Sequence, residues 1–105
     1  MAFTGQENHA VSKADAAKFT ANYRRTAGGA RRGGFFGRDA LLQILNQKDC
    51  VGMRYYFAKD DNNLPIIVLT GVTADQNDIE NGVLLEVCRP CPPFCGAASE
   101  LNPTT

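Results

Sequence analysis

The sequence predicts an α+β fold: two N-terminal helices packed on a three-stranded antiparallel sheet, closed by a Cys/Pro-rich C-terminal turn. Three observations predict it. Residues 12–47 contain two stretches with apolar residues at three- and four-residue spacing, the period of a helix with one buried face. Residues 50–87 contain three aromatic and β-branched runs separated by Asp-, Asn- and Gly-rich turns. The helical and strand runs are segregated along the chain, which favours α+β over an alternating α/β arrangement.

Residues 1–11 have no period and read as a flexible arm. Ser12 and Asp15 then form an S-x-x-D box that can satisfy free donors of a first helical turn. This first helix runs to about Arg25, with Ala16, Phe19 and Tyr23 as its apolar stripe and Arg24 and Arg25 at its negative end. TAGGARRGGFFG follows, and its five glycines predict a loop without a regular element. A second helix is expected from Arg38 to Gln47, burying Leu41, Leu42, Ile44 and Leu45, with Asp39 near its positive end. Strands are expected at 50–58, 65–72 and 83–87, the first two joined as a hairpin by the turn KDDNNL. Pro65 fits the first position of its strand. The expected organisation is one domain over 12–97 and a polar tail over 98–105.

Net charge is zero but unevenly spread. Residues 10–48 carry eight Lys and Arg against two Asp, whereas residues 49–105 carry three against eight acids. Opposite ends of this kind neutralise each other within one molecule or meet between copies. The first residues have no basic start and no apolar core of a signal peptide. The longest apolar run, around Ile66–Leu69, falls far short of the ~20 residues that span a bilayer. The expected location is the cytoplasm, with no membrane partner.

Four cysteines carry the main chemical question: Cys50, Cys88, Cys91 and Cys95. If the ends of the first and third strands are neighbours, all four thiols converge. They would then suit a closed tetrahedral site, most naturally zinc. Pro92 and Pro93 weigh against this, because each removes an N–H donor to sulfur. A disulfide such as Cys91–Cys95, or one from Cys50 to any of the other three, is the second reading, and four cysteines allow three full pairings. A redox pair at Cys88 and Cys91 lacks the helix N-terminus that lowers a thiol pKa. The fourth reading is free thiols packed as small apolar groups.

Arg24, Arg25, Arg31, Arg32 and Arg38 alternate with glycines and aromatics, a pattern that can bind an anion or nucleic acid. The zero net charge weighs against nucleic acid. His9, the sole histidine, falls in the arm. No P-loop, HExxH, GxSxG or dinucleotide fingerprint is present.

The segments GGFFGRDALLQILNQKDCVGMRYYFA, DQNDI and CPPFCG, with the apolar strand between, resemble a group of small uncharacterised bacterial proteins sharing a CVGxR strand and a CPPxCG segment. The resemblance covers about residues 19–96 and implies that these segments form one domain; it implies no activity. The functional expectation is a non-enzymatic interaction or self-assembly module with a protein partner or a second copy. The alternatives are a small zinc protein and an anion- or nucleic-acid-binding protein using the loop at 24–38.

Overall fold

The computed structural model of the protein describes residues 2–86 and 89–103. In chain order it contains α1 (Lys13–Ala27), β1 (Gly33–Phe35), α2 (Arg38–Leu45), β2 (Cys50–Lys59), β3 (Pro65–Thr73), β4 (Leu84–Leu85) and β5 (Arg89–Cys91). The chain is α+β, with two helices and a three-stranded antiparallel sheet of order β2-β3-β4. A second, two-stranded sheet pairs β1 with β5. The chain divides into two compact units: Met1–Glu7 with Phe36–Val87, and Asn8–Phe35 with Cys88–Thr105. The sequence reading places both helices on one sheet, whereas the structure assigns α2 to the unit of the three-stranded sheet and α1 to the other.

In the first unit, β2 and β3 form a long hairpin whose register runs from Lys59↔Pro65 to Cys50↔Thr73, with a shift between Cys50 and Gly52. Asp60 builds the turn: its Oδ1 accepts from the N–H of Asn62 at 2.8 Å and of Leu64 at 3.0 Å. α2 packs on β2 and β3. Its buried face is narrower than the sequence suggests. Ile44 is fully buried and Leu41 half-buried, while Leu42 and Leu45 are exposed. Helical geometry explains this: around the axis Leu41 lies about 60° from Ile44, Leu45 about 100° and Leu42 about 160°, so only Leu41 shares the buried side with Ile44. Among the described residues, Leu69 and Val72 of β3 join Ile44 as the buried apolar side chains. Residues 3–7 are tied to the unit, with Phe3 N–H donating to Ala74 O at 2.9 Å. Glu7 organises this segment by accepting from the N–H of Thr4 and of Gly5, each at 2.9 Å. Those bonds, that from Thr4 first, hold its carboxyl below the ordinary range.

In the second unit, Ser12 caps α1 by accepting from Asp15 N–H at 3.0 Å, and Gly28 ends the helix at φ +61°. The glycine-rich stretch contains β1, where the sequence predicts no regular element. Gly33, Gly34 and Phe35 pair with Cys91, Pro90 and Arg89. Glycine is a poor strand former but keeps its N–H and C=O, so a partner of fixed shape can recruit it. That partner is the Cys/Pro segment, which turns through a Phe94 N–H to Pro90 O bond of 2.9 Å and a Cys91–Cys95 disulfide. Residues 99–102 are also held in this unit: Arg24 donates to Leu101 O at 2.7 Å and Arg32 to Asn102 Oδ1 at 2.9 Å.

Candidate functional site

Each unit has one feature whose chemistry goes beyond packing. In the first it is β2. This strand lies at the edge of its sheet, so alternate residues direct N–H and C=O away from β3. Tyr55, Tyr56 and Phe57 sit mid-strand with 58, 46 and 85% of their surface exposed. Strand alternation puts Tyr55 and Phe57 on one face, where their rings meet edge to face at 5.5 Å. Tyr56 lies on the other face with Arg54, and Asp78 bridges them by accepting from the Arg54 guanidinium and the Tyr56 hydroxyl. The Tyr56 hydroxyl and the Arg54 guanidinium hold the Asp78 carboxyl below its usual range. In return, Asp78 pushes the Tyr56 phenol and the Arg54 guanidinium up. Asp78 reaches this position because the DQNDI turn folds back on β3, with Ile79 N–H donating to Gly71 O at 2.8 Å.

In the second unit it is a groove of about 560 Å³. Phe19 and Tyr23 of α1, Phe35 of β1, Phe94, and the Cys91–Cys95 disulfide supply its apolar surface. A smaller recess of about 420 Å³ is lined by Gly28, Gly29, Ala30 and Pro92. Arg24 and Arg32 line both.

The predicted site residues are distributed as follows. Cys91 and Cys95 are bonded to each other, so in this state neither offers a thiolate to a metal. Cys50 belongs to the other unit and is a half-buried thiol that donates to Gly52 O at 3.1 Å, in the manner of a packed thiol. Cys88 lies outside the described residues. Among the described residues, no three His, Cys, Asp or Glu side chains are grouped to hold a metal ion. Of the five arginines, Arg24, Arg25, Arg31 and Arg32 share one unit; Arg38 opens α2 in the other. Arg25 donates to Asn22 Oδ1. His9 is exposed. Among the described residues, no helix is long and apolar enough to cross a membrane.

Sequence reasoning missed Asp78 and the aromatic walls of the groove, though it named Arg24 and Arg32, which line it. Asp78 reads as one more turn acid. Its signal would be the i, i+2 pair Arg54 and Tyr56, two groups on one strand face that both bind a carboxylate. Phe19 and Tyr23 read as core because helical spacing marks a shared face without marking what covers it. Comparison with protein-family models, curated proteins and solved structures finds no match.

Proposed function

We propose that the protein is an assembly module in which the edge of β2 pairs antiparallel with β2 of a second copy. The observation that carries this is the exposure of Tyr55, Tyr56 and Phe57 on a ten-residue edge strand. Such an edge presents backbone donors and acceptors together with apolar surface, the two components of strand addition. A second copy fits through self-complementarity. A two-fold pairing centred on Phe57 sets Arg54 opposite Asp60 and Tyr55 opposite Lys59, so opposite charges meet and a cation meets a ring. Light scattering across protein concentration, at low and high salt, tests it. A dimer that persists in high salt and is lost in Phe57→Lys is expected. A monomer throughout overturns the proposal. So does an association abolished by salt but untouched by Phe57→Lys, because charge and not the strand edge would then drive it.

A further inference from the structure

The second unit is the basic one. It carries seven Lys and Arg against two acids, Asp15 and Glu100, while the first unit carries four against nine. Glu100 is paired with Lys13 at 3.5 Å. Among the described residues no carboxylate pairs with Arg24, whose Nη1 donates to the carbonyl of Leu101 at 2.7 Å. A guanidinium has five N–H donors, so that contact anchors the side chain without exhausting it. Arg24 stands where the aromatic groove and the glycine-lined recess share their walls, beside Arg32. Arg32 is itself anchored: its side chain donates to Asn102 Oδ1 and its N–H to Cys91 O at 2.6 Å. The apolar side is built from four rings on three chain segments: α1, β1 and the turn at Phe94. Its volume lies within the range of about 300–1,000 Å³ common for small-molecule sites.

We propose that this groove binds a small aromatic carboxylate, its ring system against Phe19, Tyr23, Phe35 and Phe94 and its carboxylate on the guanidinium groups of Arg24 and Arg32. Each side needs the other. Rings alone would hold any flat apolar molecule, and two arginines alone would hold any small anion weakly in water. Together they select a planar apolar body with one negative end, and the planar guanidinium matches a carboxylate through parallel N–H···O bonds. The disulfide keeps one wall fixed by joining Cys91, at the end of β5, to Cys95 beyond Phe94.

Isothermal titration of the whole protein with 2-naphthoate, and with the neutral 2-naphthylmethanol, tests the assignment. One saturable site is expected, binding the carboxylate about tenfold more tightly than the alcohol, the scale of one charge-assisted hydrogen bond. Arg24→Gln is expected to reduce that preference, with Arg32 supplying what remains, while leaving the alcohol's affinity unchanged; Arg24→Lys is expected to keep more of it, and Phe35→Ala to weaken both probes. Should Arg24→Gln fail to fold, amide shifts of the wild-type protein decide. Naphthoate is then expected to move resonances of α1, 33–35 and 89–102. Equal affinity for the two probes, no saturable binding, a preference undiminished in Arg24→Gln, or shifts centred on β2 and β3 would each overturn the proposal.

Discussion

The Oε1 of Gln47 accepts a hydrogen bond from the backbone N–H of Val83 at 2.7 Å, tying the chain just beyond α2 to the entry of β4. Gln47 Nε2 donates to Ile44 O at 3.0 Å, so the carboxamide is fixed at both ends. A Cβ on Gly82 would lie 2.1 Å from that Oε1 and 2.8 Å from Ile79 Cγ2. Gly82→Ala must therefore displace a side chain that two bonds hold. We expect a loss of about 1–3 kcal/mol from overpacking in urea unfolding. Gln47→Ala is expected to cost a similar amount, about 1–3 kcal/mol, by leaving the Val83 N–H without its acceptor.

Asp78 makes the fold sensitive to acid. Its carboxyl is held low, by the Tyr56 hydroxyl first and the Arg54 guanidinium after it. A depressed folded-state value contributes stability above the unfolded carboxylate pKa of about 3.9 and loses it as pH falls through the folded value. Asp78→Asn should flatten the dependence of the urea midpoint on pH below about 4, where the wild type keeps its slope.

Tyr56 gives the opposite sign at the alkaline end. Beside the Asp78 carboxylate its phenol is pushed up. The contribution is whole below the unfolded phenol value of about 10 and is lost as pH rises through the higher folded value. Spectroscopic titration of tyrosinate should show one late-titrating group that Asp78→Asn restores to the ordinary range. An unchanged profile in that variant would contradict the assignment.

Gly5 stands at φ +84°, and a Cβ there would lie 2.8 Å from the carbonyl oxygen of Val51. Gly5→Ala meets both a left-handed backbone and a fixed carbonyl, at a cost of about 1–3 kcal/mol. The local readout is faster hydrogen exchange at Phe3, whose N–H is bonded to Ala74 O.

The Cys91–Cys95 disulfide closes a short loop, with a separation of four residues. Chain-entropy reasoning assigns such a loop about 2 kcal/mol. Cys95→Ser, or a reducing agent, is expected to lower the stability of the unit containing α1 by that order and to accelerate amide exchange at Gly33 and Gly34, which pair with Cys91 and Pro90. Cys50 belongs to the other unit, so exchange across β2 and β3 should not change.

What the sequence determined by itself is local. Ser12 caps a helix whose stripe repeats at helical spacing, Asp60 closes a turn with its own side chain, and aromatic and β-branched runs pair across that turn. Each signal lies within one element or its immediate neighbour, where backbone preference and side-chain reach decide the outcome. Only the tertiary structure decided that Gly33–Phe35 becomes a strand, that Ile44 and not Leu42 is buried, and that Cys91 joins Cys95 while Cys50 packs in the other unit. It also decided that Asp78 meets Arg54 and Tyr56 across more than twenty residues of chain, and that Arg24 meets Leu101. These are contacts between distant segments, set by how whole elements pack. No propensity of a single residue encodes its partner, and so the chain offered Arg24 and Arg32 as anion-binding residues but not the rings that stand beside them, nor the bridge that Asp78 makes.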